Sequence, residues 1–146
     1  MNPHTQDAAL NQDESQAEIF YRAVSTNELI VIRQAGGLTL ERAELFITQD
    51  LEWVEDYVRR SKAGDYHYIL AITTQSGTTD WLLSVGKRHG SQAAKRRFPD
   101  KPVLKSGDAN AVHLKEQGGT VTYGLRSGTI AEFNQRIQRI EVIKAV

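Results

Sequence analysis

The 146-residue chain contains no cysteine, one methionine, three prolines and no excess of either charge, with 18 Lys and Arg against 18 Asp and Glu. Without thiols it is not a disulfide-stapled mini-protein, and it cannot hold structural zinc through thiolates. The lack of cysteine is silent on redox compartment, because a reduced cytosol and an oxidising exterior both tolerate such a chain. Long apolar runs are also missing. The longest is about five residues, against the roughly 20 that a membrane-spanning helix needs, so insertion into a bilayer is not expected. The first 18 residues, MNPHTQDAALNQDESQAE, hold no basic cluster followed by an apolar stretch, so they do not read as a secretory signal peptide. The four histidines, His4, His67, His89 and His113, stand singly, and none has the spacing of a helical metal pair. No metal site is read from them.

What is present is a chain of ordinary composition, 40% hydrophobic and 25% charged. At this length a single domain buries roughly 68% of its unfolded surface, enough for a core without a staple. Charge is unevenly placed along it. Residues 1–18 carry four acids and no base, whereas residues 87–105 carry Lys87, Arg88, Lys95, Arg96, Arg97, Lys101 and Lys105 against Asp100 alone. Such a positive segment attracts phosphates, nucleic acid or an acidic protein face. Its plainer role is a solvated loop, since only Phe98 interleaves the cations.

Residues 1–17 are polar and aperiodic and read as a tail or linker, with a single domain over 18–146. Glu18 to Val24 reads as a strand with Phe20 and Arg22 on one side. Ser25 and Glu28 form a capping box for a helix that stops at Gly36-Gly37. Leu38 to Leu40 reads as a short extended piece, and Glu44 to Thr48 as a second strand. Asp50 caps a second helix, whose Leu51, Val54, Tyr57 and Val58 make an apolar stripe. Tyr66 to Thr73 reads as a central strand buried on both faces. A short helix follows around Asp80 to Val85, and residues 86–110 read mostly as loop. Ala111 to Glu116 and Thr120 to Leu125 flank Gln117-Gly118-Gly119 as a β-hairpin, and Arg136 to Val146 forms the last strand. About six strands and two or three helices, grouped rather than alternating, predict an α+β fold.

The ordered set Phe20-Tyr-Arg-Ala-Val-Ser25, Leu45-Phe-Ile-Thr-Gln49 running into a helix with Trp and Tyr, Val112-His-Leu-Lys-Glu116, Thr122-Tyr-Gly-Leu-Arg-Ser-Gly128 and Phe133-Asn-Gln-Arg-Ile137 resembles the C-terminal toxin domains of bacterial polymorphic toxins, which are similar to ADP-ribosyltransferases. The resemblance spans about residues 18–140. It implies a small split β-sandwich that clamps NAD between a strand arginine and a strand-to-helix junction bearing Ser or Thr, and that transfers ADP-ribose to a macromolecule. It further implies synthesis in the cytoplasm of a producing cell, delivery into a target cell's cytoplasm, and a cognate immunity protein.

On that resemblance the catalytic candidates are Arg22, Thr48 and Glu116, and the NAD-binding candidates are Arg22, Ala23, Thr48, Trp53, Tyr57, Tyr123 and Arg126. A strand arginine offers a planar fork of donors to phosphate and ribose oxygens; its plainer role is a stem laid over apolar neighbours. Thr48 bonds the ribose, holds Arg22, or serves the following helix as a cap. Trp53 and Tyr57 offer ring faces to nicotinamide, although the apolar stripe assigns Tyr57 to core packing. Breaking the nicotinamide–ribose bond passes through an oxocarbenium-like state that a carboxylate stabilises. Glu116, Glu132 and Glu141 are its candidates, because Thr122-Tyr123 stand where the family opens its later strand with an acid. Arg126 is a phosphate or target contact, and His113 a packed or surface imidazole. Two alternatives stay open. One is an RNase toxin acting on tRNA or other RNA, using the Lys87–Lys105 stretch as phosphate footprint and His89 or His113 as acid or base but lacking a paired histidine constellation. The other is a non-enzymatic immunity or adaptor module.

Overall fold

The computed structural model describes residues 16–146. All but the last two residues of the expected 1–17 tail therefore lie outside the described residues. Strand β1 spans Glu18–Val24 and ends at Ser25, whose hydroxyl accepts the Glu28 N–H at 3.1 Å and so caps helix α1, Thr26–Ala35. Only half of the expected capping box forms, because the Glu28 carboxylate turns to Arg22 instead. The helix closes at Gly36, whose φ of 71° lets its N–H reach the Ile32 carbonyl. No strand forms over Leu38 to Leu40. The Leu38 backbone is satisfied by the Asn134 side-chain amide, which gives and takes one bond of 2.9 Å each, a side-chain substitute for a ladder partner.

The remaining elements are β2 (Glu44–Thr48), α2 (Leu51–Arg60), β3 (Tyr68–Thr74), α3 (Thr78–Ser84), β4 (Gly86–Arg88), α4 (Gln92–Arg97), β5 (Val112–Gln117), β6 (Thr120–Arg126), α5 (Ile130–Arg136) and β7 (Ile137–Ala145). The α+β class holds, with seven strands and five helices among the described residues where the sequence predicts about six and two or three. Residues 86–110, read mostly as loop, contain β4 and α4. Both are too short for a period to show, and β4 is defined by its parallel pairing with β5. Helix α5, seven residues long, stands where the sequence predicts no helix.

All strands belong to one sheet in the order β4-β5-β6-β2-β1-β3-β7. Its middle is nearly divided: β1 and β2 share one opposed pair, Tyr21 with Thr48. The sheet is thus two leaves, β4-β5-β6-β2 and β1-β3-β7, which is how the expected split appears. On the core face, alternate residues of both leaves, among them Phe20, Ile47, Ile72, Leu114 and Leu125, join one apolar cluster with Leu29 and Ile32 of α1, Leu82 of α3 and Phe133 of α5. The Phe20 ring meets Tyr123 and Phe133 edge-on, each at 5.9 Å. Helix α2 lies on the outer face, where Val54 packs on Ala23 and Ile69.

Helix α3 is tied to the start of β1. The Glu18 carboxylate accepts the Gly77 N–H at 2.6 Å, the Thr79 N–H at 2.7 Å and the Thr79 hydroxyl. Burial opposes its ionisation, but these donors outweigh burial and hold its pKa below the usual 4.5. A depressed carboxyl pKa contributes stability above the unfolded value that is lost as pH falls through the folded one. Urea unfolding between pH 6 and pH 3 should therefore show stability falling below about pH 4.5, and Glu18→Gln should flatten that limb; an unchanged limb would remove Glu18 from the acid response.

Candidate functional site

Alternation places Glu44, Phe46 and Thr48 of β2 on the outer face while Leu45 and Ile47 enter the core. The same phase sets His113, Lys115 and Gln117 of β5 and Thr122, Gly124 and Arg126 of β6 beside them, in the rows Thr48-Thr122-Lys115 and Phe46-Gly124-His113. Helix α2 roofs one end of this surface. Between roof and sheet, where β1 and β2 part, lies a cavity of about 280 Å³ whose walls include Tyr21, Arg22, Ala23, Phe46, Thr48, Trp53, Tyr57, Tyr66, Lys115, Gln117 and Thr122. No Asp or Glu lines it.

The cavity is aromatic and cationic. Trp53 and Tyr57 stack at 5.4 Å with planes 17° apart, and the Tyr57 and Tyr66 hydroxyls lie 3.3 Å from each other. Burial first, then the Tyr57 contact, pushes the Tyr66 phenol up to about 12, so it remains an O–H at neutral pH. The Lys115 ammonium sits 4.4 Å from the Phe46 ring centroid. Arg22 makes a two-pronged pair with Glu28, Nε to Oε2 at 2.7 Å and Nη2 to Oε1 at 3.2 Å, and Nη1 donates to the Phe46 carbonyl at 3.0 Å. Its guanidinium thus bridges the parted strands, and two of its five N–H groups make no hydrogen bond among the described residues. The Thr48 hydroxyl donates to the Val121 carbonyl at 2.9 Å and accepts the Asp50 N–H at 3.3 Å.

The α2 cap itself is Asp50. One carboxylate oxygen accepts the Trp53 N–H at 3.1 Å and the other the Thr120 hydroxyl at 2.6 Å, so it anchors the roof to the β5–β6 hairpin. Asp50→Ala should cost about 1–2 kcal/mol, the usual loss for a capping side chain, read as a lower urea midpoint at unchanged slope.

A second group of polar side chains adjoins the cavity on the same face. His113 Nδ1 lies 3.0 and 3.1 Å from the Glu44 oxygens, His113 Nε2 lies 2.9 Å from His89 Nδ1, and Arg126 Nε donates to Glu44 at 3.2 Å. Burial opposes ionisation of Glu44, but His113, Arg126 and Lys115 together hold its pKa below the usual value. Burial, then His113 and Lys115, lower the His89 pKa, with Glu44 pulling the other way.

A family model of the PT3 toxin domain matches residues 16–142. The chain belongs to the PT3 toxin domain family. No curated protein matches it in sequence. The toxin-domain reading of the ordered motifs therefore holds. No helix among the described residues of this toxin domain is long and apolar enough to cross a membrane.

In this PT3 domain Arg22, Ala23, Thr48, Trp53 and Tyr57 come together at the cavity, and Glu116, Tyr123, Arg126, Glu132 and Glu141 do not. Glu116 alternates to the opposite face from Lys115 and Gln117, where its Oε2 is shielded from solvent and without a hydrogen bond among the described residues. Tyr123 is buried in the core against Phe20. Arg126 is occupied by Glu44 and by the carbonyls of Lys105, Ser106 and Asp108, pinning that loop. Glu132 and Glu141 pair with Arg136 and Arg139, away from the cavity. Tyr57, assigned by its spacing to core packing, is 41% exposed and lines the cavity instead. Where the sequence predicts no paired histidine constellation, His89 and His113 are bonded to one another. They stand 24 residues apart and meet only because β4 pairs in parallel with β5. The signal available beforehand was glycine inside the β6 strand: a Cβ at Gly124 would lie 2.6 Å from Glu44 Oε2 and 2.9 Å from His113 Cβ, so only glycine lets those two meet across it.

Proposed function

We propose that this toxin domain binds NAD at the α2 cavity, breaks the nicotinamide–ribose bond and transfers ADP-ribose to a macromolecule in the recipient cell. The observation that carries the reading is the convergence of Arg22, Thr48, Trp53 and Tyr57, drawn from β1, the end of β2 and α2, on one cavity at the split of the sheet. The Trp53–Tyr57 stack offers the face for the nicotinamide ring. The two uncommitted N–H groups of Arg22 and the Lys115 ammonium supply positive charge for the pyrophosphate. At about 280 Å³ the cavity is near the lower end of ligand-pocket sizes, so it takes the nicotinamide end and leaves the adenosine at its mouth. With no carboxylate on the wall, the Gln117 amide oxygen, 3.3 Å from the Thr122 hydroxyl, is the acceptor offered to the ribose hydroxyl. A neutral oxygen stabilises a developing cation less than an anion does. Gln117→Glu should accordingly raise nicotinamide release by about tenfold or more, and an unchanged or lower rate would take Gln117 out of the site. Delivery from a producing cell and protection by an immunity protein belong to the same reading.

The test is incubation of the folded protein with labelled NAD and a cell extract, beside thermal unfolding with and without NAD. Support would be nicotinamide release, label on a macromolecule, and an NAD-dependent rise in Tm that Trp53→Ala diminishes, since only binding to the native state raises it. No release and no rise would remove the reading. RNA breakdown without NAD would put an RNase in its place, the reading that the His89–His113 pair favours. Stoichiometric binding of one partner without turnover would leave a binding module.

A further inference from the structure

The cavity holds no group that can take a proton from an acceptor, and the adjoining Glu44, His113 and His89 are used by none of the steps above. Their arrangement is directional. Glu44, ionised and also held by Arg126, can only accept, so His113 carries its proton on Nδ1. In that tautomer His113 Nε2 is an acceptor, His89 Nδ1 the donor at 2.9 Å, and His89 Nε2 an open lone pair. His113 and Glu44 are shielded, with side chains 10% and 16% exposed, while His89 at the end of β4 is exposed. The line therefore runs from a shielded carboxylate through an oriented imidazole to a base in contact with solvent. It is built around Gly124, the only residue type that leaves room for it.

The line adjoins the cavity through neighbouring side chains. His113 and Lys115 are two apart on one strand, hence on the same face at roughly 7 Å, and the His89 N–H donates to the Leu114 carbonyl between them at 2.8 Å. Phe46 borders both, lining the cavity and standing 6.5 Å from the His113 ring. We propose that Glu44, His113 and His89 form a proton relay whose exposed imidazole activates the acceptor, and that the acceptor is a hydroxyl of RNA. The acceptor class follows from charge. His89 lies within the segment of seven cations and one acid from Lys87 to Lys105 and beside Lys115, a setting that draws a polyanion to the base. Some of these cations are committed within the fold, Lys87 to Asp108 and Lys101 to the Leu83 carbonyl; Lys95, Arg96 and Arg97 of α4 are exposed.

The inference rests on the NAD reading. The hydroxyl oxygen forms a bond to the ribose C1′, the C1′–nitrogen bond breaks, nicotinamide leaves neutral, and the hydroxyl proton passes to His89 Nε2. His89 is the catalytic base, and His113 and Glu44 are positioning residues. The groups that set the protonation of His89 are His113 and Lys115 from β5 and Glu44 from β2, the last in turn held by Arg126 of β6.

The experiment follows label from NAD into purified total RNA, into DNA and into the proteins of an extract, for wild type, His89→Gln and Glu44→Gln, from pH 5 to pH 9. Wild type should label RNA, with a rate that falls on the acid side as His89 becomes protonated. His89→Gln should lose about 100-fold in transfer at pH 7.5, the scale of a lost general base, while keeping its NAD-dependent rise in Tm. Glu44→Gln, which removes a charge favouring protonated His89, should slow transfer and move the acid limb to lower pH, a displacement that a purely structural role would not produce. Circular dichroism verifies that each variant is folded. Transfer by His89→Gln at the wild-type rate overturns the relay, as does an acid limb that Glu44→Gln leaves in place. Label on proteins or DNA with none on RNA overturns the acceptor. In all of these NAD is consumed and the NAD reading survives. Absence of nicotinamide release from wild type, with no rise in Tm, overturns both.

Discussion

Arg22→Ala is expected to cost about 3 kcal/mol of folding stability, and to abolish the NAD-dependent rise in Tm. The magnitude is at the low end for breaking a buried pair, because some solvent reaches both groups, whose side chains are 19% and 15% exposed. Three hydrogen bonds vanish together. Glu28 is left as a half-buried carboxylate without its partner, and the Phe46 carbonyl loses a donor. Arg22→Lys separates the two consequences. An ammonium keeps the charge opposite Glu28 but has no planar fork, so it should restore part of the stability and little of the NAD response. The measurement is urea unfolding with the slope compared, alongside thermal unfolding with NAD. If Arg22→Ala were as stable as wild type, the pair would be worth no more than an exposed surface bridge. If it lost stability yet kept a full NAD response, Arg22 would be a strut and not part of the site.

Phe20→Ala is expected to be the most damaging single change in the core, at about 3–5 kcal/mol and roughly 10–20 °C in Tm for a domain of this size. Phe20 is wholly buried, and its ring touches Tyr123 from the other leaf and Phe133 from α5. Truncation leaves a void bounded by two rigid rings and by sheet backbone, surroundings that collapse poorly. A double-mutant cycle with Tyr123→Leu should show coupling of about 1 kcal/mol, the part due to edge-to-face geometry beyond burial. Additive losses would mean that the two leaves are held by area alone.

Local chemistry was legible in the sequence, and long-range pairing was not. Ser25, Gly36 and Asp50 mark helix ends through their own side chains or φ, so α1 and α2 could be read with their caps. Gly118 and Gly119, both at positive φ, mark the hairpin that joins β5 and β6. Strand β4 has three residues and exists through its partner, α4 has six, and neither carries a period. The site divides the same way. Arg22, Thr48, Trp53 and Tyr57, which the ordered motifs single out along the chain, line one cavity. Glu44 and His113, 69 residues apart, look separately like surface positions of a strand. Glu116 stands one step of alternation away: Lys115 and Gln117 on either side line the cavity, and it therefore faces the other side of the sheet.

Joining the two leaves by one opposed pair, Tyr21 with Thr48, leaves the middle of the sheet its weakest line. Strands elsewhere are zipped over several residues, so warming or mild denaturant should part the domain along this line before either leaf frays. An opening there would swing Arg22 away from Phe46 and widen the mouth beneath α2. The mouth of the cavity and the line along which the protein should first yield are then the same, and whatever fills that gap fastens the two leaves together.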